Sequence, residues 1–251
     1  MKKNILTFTL ILVAIFLAAC STSATSPEEI QSIDTVAASE IEEPTEIPLE
    51  IQENLDELTE DESPEPPVDL NVGDLSADEV AGMAFMREEE KLARDVYLTM
   101  YELWGLPIFQ NIADAEATHM ETVKILMDRY GLEDPAEDQG VGVFTNPDLQ
   151  SLYDQLIDLG SQSRIEAIKV GIAIEEIDIL DLEEYIAQTD KADIQQVYEN
   201  LLKGSRNHLR SFAQMFEKQA DEVYQPQYLS QEAYDAIVNS DIETGRQGGK
   251  P

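Results

Sequence analysis

Glu116 and His119 stand three residues apart in the segment D-A-E-A-T-H-M-E-T-V, Asp114 to Val123. Three residues is about one helical turn, so on a helix both side chains leave the same face. A carboxylate that can bridge two ions, beside an imidazole that closes on one of them, is half of a transition-metal site. Glu-x-x-His also occurs by chance, so its meaning depends on what the rest of the chain brings to the same level. The one other histidine is His208, and it too falls in a strongly helical stretch.

The elements that must position these residues are four long helices. A capping box, Ser76 to Glu79, opens the first, which runs to about Leu103 before Gly105. Pro107 starts the second, which carries Glu116 and His119 and stops at Gly131; the short link predicts an antiparallel hairpin. A long connection follows, with one short helix from the Asn146 cap to Gly160. Ser163 to Glu166 caps a third long helix to about Gln188, and a fourth follows to about Val223, before Pro226. A last short helix, Ser230 to Asn239, reads as a packing appendage, and no stretch of the domain reads as a strand. Two hairpins joined by one crossover make an all-α domain of the ferritin-like four-helix-bundle type, with short extra helices.

Three- and four-residue steps give the inward rows. They are Met83, Met86, Glu90, Ala93, Tyr97, Met100 and Trp104 on the first helix, and Ile112, Glu116, His119, Val123, Leu126 and Tyr130 on the second. The third gives Ile168, Gly171, Glu175, Asp178 and Leu182, and the fourth Tyr198, Leu201, Ser205, His208, Phe212 and Met215. Every row carries an acid or a histidine at mid-height among apolar neighbours. A buried carboxylate needs a cation or a dense hydrogen-bond network, and one shared metal centre would satisfy all of them. The same rows also fit a metal-free polar network. In the acidic runs Glu88-Glu89-Glu90 and Glu175-Glu176, at least one member of the first is expected to be solvated, and the second can be read the same way. Arg94 and Arg206 are placed to offset the surplus of carboxylates.

The charge is -36 over 251 residues, which argues against a nucleic-acid partner. No Lys or Arg occurs between Lys3 and Arg87, so the acidic interval is a tail and the remainder is the domain. Lys2 and Lys3 precede an apolar run to Phe16 and then Leu17-Ala18-Ala19-Cys20, a signal peptide too short for a permanent span. Its ending resembles a bacterial lipobox, with Cys20 as the lipid attachment point, and Cys20 is the only cysteine, so the exported domain has no internal disulfide. Residues 21–73 are rich in Ser, Thr, Pro and Glu and read as a disordered tether of about 40 Å or more, with a weak helical reading around Leu49 to Leu58. The boundaries are therefore a leader at 1–20, a tether at 21–73, the bundle at 74–224 and an extension at 225–251.

The segment from about Asp74 to Tyr224 resembles the ferritin-like superfamily. It is similar to the rubrerythrins and to an uncharacterised bacterial and archaeal branch. Glu90, Ala93 and Tyr97 have the spacing of the family's ligand Glu, small residue and core Tyr; Glu116 and His119 match its second-helix Glu-x-x-His. Glu175 and Asp178 resemble a third-helix Glu-x-x-acid, and the fourth-helix motif is matched at His208 alone, Ser205 standing where the family has Glu. The rubredoxin-like cysteines are absent, so a reduction step needs an outside electron donor. The resemblance implies a metal centre with Glu90, Glu116, His119, Glu175, Asp178 and His208 as ligands and Tyr97 as a redox or supporting residue. It implies iron, two ions in the family pattern, with manganese or another divalent metal as alternatives, and oxygen or peroxide as substrate. The expected partner is a membrane, through the N-terminal lipid, at the extracytoplasmic face of the envelope, and a homodimer is compatible with it. The alternative is a non-enzymatic envelope protein that binds or buffers metal or presents a surface.

Overall fold

In the computed structural model of the chain, residues 75–244 are described. The leader with Cys20, the tether and the weak helical reading near residues 49–58 lie outside them. Six helices and no strand occur among the described residues: α1 (Ala77–Trp104), α2 (Pro107–Tyr130), α3 (Pro147–Gly160), α4 (Arg164–Gln188), α5 (Ala192–Gln219) and α6 (Gln231–Val238). The protein is all-α there, as expected.

Local chemistry sets the ends. Ser76 accepts the Glu79 N–H while the Glu79 carboxylate accepts the Ser76 N–H, a reciprocal cap that satisfies two orphan donors of α1. Gly105 ends α1 with φ 64°, a left-handed turn that an L side chain resists, and Pro107 starts α2 two residues later. Asn146 accepts the N–H groups of Asp148 and Leu149 to open α3, and Ser163 accepts that of Glu166 to open α4. The α5 helix stops at Gln219, short of the expected Val223. From Ala220 the chain is extended, which brings Tyr224 back onto Phe216, ring centroids 5.5 Å apart, and its hydroxyl onto Glu176 at 2.8 Å.

The hairpin α1–α2 packs on the hairpin α4–α5, with α1 against α4 and α2 against α5, while α3 lies across α1 and α4 and α6 rests on α5. The predicted inward rows are buried throughout, with partial exposure only at their ends, Trp104 and Tyr130. An aromatic group formed by Tyr97, Phe109 and Phe212, with centroids 5.2 to 6.1 Å apart, fills the space between the hairpins beside the acids. Each such pair contributes about 0.5–1.5 kcal/mol beyond area burial.

The acidic runs differ from expectation. Glu88, Glu89, Glu90, Glu175 and Glu176 are all buried, and on α1 burial is unbroken from Arg87 to Ala93. Nearly two turns are enclosed on every side because the crossover wraps the face of α1 turned away from α2. Glu88 accepts the N–H groups of Thr145 and Asn146, Lys91 donates to the Gly140 carbonyl at 2.7 Å, and Asp95 accepts the Gly142 N–H at 2.9 Å. These side chains supply the partners that a buried loop backbone needs. Glu176 does the same for the N–H groups of Gln227, Tyr228 and Leu229.

Candidate metal centre

Five of the six proposed ligands converge. Glu90 comes from α1, Glu116 and His119 from α2, Glu175 from α4 and His208 from α5, and none is more than 8 % exposed. Their donor atoms form two groups, Glu90–Glu116–His119 and Glu116–Glu175–His208, each with its atoms within 4.8 Å of one another. Glu116 belongs to both. Its Oε2 lies 2.7 Å from His119 Nδ1 and its Oε1 lies 2.9 Å from His208 Nδ1, so one carboxylate spans two imidazoles. The rings face each other with centroids 5.5 Å apart and planes inclined by 28°. Glu90 reaches His119 Nδ1 at 3.3 Å and Glu175 reaches His208 Nδ1 at 3.5 Å.

Asp178 stands outside both groups. It hydrogen-bonds Ser205 Oγ, which also lies 2.9 Å from the Leu201 carbonyl. One hydroxyl proton cannot serve two acceptors, so both contacts are satisfied together only when the Asp178 carboxyl carries a proton. Burial, reinforced by Glu90, Glu175 and Glu116, raises its pKa well above the usual range, in keeping with that form. Tyr97 donates to Glu175 and fixes that carboxylate from the α1 side. Arg94 and Arg206 do not reach the acids of the centre: Arg94 pairs with Asp95 and Arg206 with Glu243.

The protonation states follow from burial set against neighbours. Burial opposes ionisation of Glu116, but His208 and His119 outweigh it and hold this carboxyl well below the usual range. Burial would discharge both histidines, yet Glu116 and Glu90 raise His119, and Glu116 and Glu175 raise His208 to about 10. Glu90 is pushed up to about 8 by burial, with His119 pulling the other way. Without metal the centre thus holds its charge as imidazolium against a shared carboxylate.

The residues fit a cation. Glu90 Oε1 and His208 Nδ1 are buried without a hydrogen-bond partner, His208 Nδ1 being close to Glu116 but not aligned to it. Polar atoms crowded together without hydrogen-bond geometry are what ligands of a common ion present, once their protons are released. Three carboxylates and two imidazoles are also nitrogen and oxygen donors of the kind that suits iron, manganese or zinc.

Gly204 on α5 was not legible as part of this site. A Cβ there would lie 2.5 Å from both Cε1 and Nε2 of His119, so the absence of a side chain lets α5 approach α2 at the level of the ring. A glycine inside an otherwise good helix, one residue before the Ser205 position, was the available signal.

Comparison with known proteins places the chain in a family. The family described as "Uncharacterized protein domain (DUF2202)" matches residues 79–241. The chain belongs to this family. It is 50 % identical over 171 residues to "Uncharacterized protein MJ0754" of Methanocaldococcus jannaschii, an alignment that covers 68 % of this chain and 92 % of that one. A crystal structure of hypothetical protein MJ0754 from Methanococcus jannaschii DSM 2661 is similar with a TM-score of 0.65 at 48 % identity, covering 73 % of this chain and all of that one. The DUF2202 match takes in α1 from Glu79 onward, α2 to α6, every residue of both donor groups and the segment that Glu176 holds.

Proposed function

We propose that the chain is a lipid-anchored, extracytoplasmic protein of ferritin-like type, a four-helix bundle that holds two metal ions, iron in the first reading, and reacts with oxygen or peroxide. The observation that carries the reading is Glu116, a single buried carboxylate shared by two donor groups that each end in a histidine. Carboxylate-bridged metal pairs in helix bundles draw a Glu from each of two helices and a Glu-x-x-His from each of the other two. Here α1 and α4 give Glu90 and Glu175, α2 gives Glu116 and His119, and α5 gives His208 with Ser205 in place of the fourth acid. Bound iron would supply the electrons that reduce oxygen or peroxide.

The chain's own residues would do the rest. His119 and His208 would each give up the Nδ1 proton and offer that nitrogen, with Glu116 between them. Tyr97 orients Glu175 by its hydrogen bond. Tyr97, Phe109 and Phe212 are buried to 0 % exposure and keep water from that side. The anchor rests on Leu17-Ala18-Ala19-Cys20, and among the described residues no helix is long and apolar enough to cross a membrane.

Ser205 favours a second reading, non-enzymatic binding of a divalent metal, since one position that the pattern fills with an acid is neutral here. One experiment decides between them. The full chain, loaded with Fe(II) under nitrogen, should bind two ions and consume peroxide or oxygen faster than free iron. Glu116→Gln should lose both ions, because both groups depend on it. Metal uptake without faster consumption leaves the binding reading standing; no uptake removes both.

A further inference from the structure

A narrow cleft lies between α1, α3 and α4, lined by Glu89, Leu92, Ala93, Leu152, Ile174, Ile177 and Asp178. Its walls are aliphatic. Leu152 and Ile177 are half-buried and form the mouth, while Leu92, Ala93 and Ile174 are buried. The space is about 10 Å³, the room of a single water-sized molecule. The two polar residues that line it are 4 % and 6 % exposed, and each has one oxygen, Glu89 Oε2 and Asp178 Oδ1, with no hydrogen-bond partner. Such orphaned oxygens are costly in an apolar setting, so a guest that hydrogen-bonds both offsets a standing penalty. The position is also pointed. Glu89 adjoins Glu90, Ala93 lies one turn beyond it, and Asp178 lies one turn from Glu175, so the cleft lies between the same two helices that supply Glu90 and Glu175 to the centre.

We propose that this cleft is the antechamber through which hydrogen peroxide reaches the metal centre, Glu89 and Asp178 receiving it and Leu152 forming its outer gate. This rests on the reading of the centre as a metal site that reacts with oxygen or peroxide, and it chooses between the two. Dioxygen donates no hydrogen bond and would leave both carboxyl oxygens unsatisfied. Peroxide is as narrow as water but one oxygen longer, so it enters as the half-buried Leu152 swings outward, and with an O–H at each end it can donate to both oxygens, as a single water would. The aliphatic mouth excludes hydrated ions, which cannot shed their water there.

The test has one arm that needs no metal and one that does. Crystals of the metal-free full chain, soaked in hydrogen peroxide, should show two-atom density against Glu89 Oε2 and Asp178 Oδ1. A single water or an empty cleft after the soak would overturn the proposal, as would an occupant that ignores both oxygens. In the iron-loaded chain, Leu152→Trp should slow the oxidation of bound Fe(II) by peroxide about tenfold or more at unchanged metal content, while Leu152→Ala should not slow it. An unchanged rate in Leu152→Trp with full metal content would also overturn it. If the chain takes up no iron, the reading of the centre fails by itself and the soak alone decides the antechamber.

Discussion

Gly204 sets how closely α5 can approach the His119 ring, and its substitution separates the two donor groups. In Gly204→Ala the new Cβ would fall 2.5 Å from the ring, and His119 must swing off Glu116 and Glu90. His208 keeps its partners. Metal analysis should show two ions per chain falling to about one, with a stability loss of about 1–3 kcal/mol from overpacking. Gly140→Ala, where nothing lies within 4 Å of an added Cβ, is the control and should keep both ions. Loss of both ions, or of neither, in Gly204→Ala would sink the assignment of His119 to one group only. At this scale the sequence was informative about residue type and spacing: Glu90, Glu116, His119, Glu175 and His208 converge as their helical rows implied. It put Asp178 on the inward row among the ligands but could not show its bond to Ser205, which depends on the distance between α4 and α5, and spacing along one helix does not contain that distance.

Buried acids act as clamps between elements. Glu176 holds three successive backbone N–H groups and the Tyr224 hydroxyl, tying the segment before α6 to α4. Glu176→Ala leaves those donors buried without an acceptor and should cost about 3–5 kcal/mol, with faster amide exchange at residues 227–229 as the local sign. Exchange unchanged at those three amides would mean that water or another group already serves them. A second clasp joins α5 to the residues after α6. Glu243 takes Arg206 at 2.7 Å and Arg210 at 2.9 Å. The bond to Arg206, with Arg210 adding, holds the Glu243 carboxyl below its ordinary value. A depressed folded-state pKa stabilises above the unfolded value, near 4.3, and that contribution is lost as pH falls through the folded value. Thermal midpoints taken from about pH 6 down to about pH 3 should therefore fall less steeply in Glu243→Gln than in the native chain. Parallel curves would show that the clasp does not contribute. The helix ends were legible because caps, Pro and Gly are local chemistry. The clamps were not, since Glu88 finds its backbone partners 57 and 58 residues away and Glu176 finds its own 51 to 53 residues away in loops, and an acidic run on a helix otherwise reads as a solvated face.

At the scale of the whole molecule, a chain of net charge -36 encloses Glu90, Glu116, Glu175, Asp178 and Glu89 in one interior, all but Glu116 with raised pKa values. Glu116 is held ionised by two facing imidazoles, while burial raises the pKa of the other four and weakens their hold on a charge. That is a stable metal-free state, and it makes metal binding a proton exchange rather than the filling of an open cage. A ligand that binds the folded form alone stabilises it by about 2.7 kcal/mol at a free concentration one hundred times its dissociation constant. For a domain of this size the thermal midpoint should then rise by about 5–10 °C when Fe(II) or Mn(II) is added at that excess under nitrogen. The rise should vanish in the double variant His119→Ala, His208→Ala, which keeps every carboxylate but removes both nitrogen donors. If the double variant shows the same rise, the metal is held elsewhere by surface acids, which this composition offers in plenty. If the native chain shows no rise at all, the five residues form a self-contained polar network, and their convergence serves the core rather than an ion.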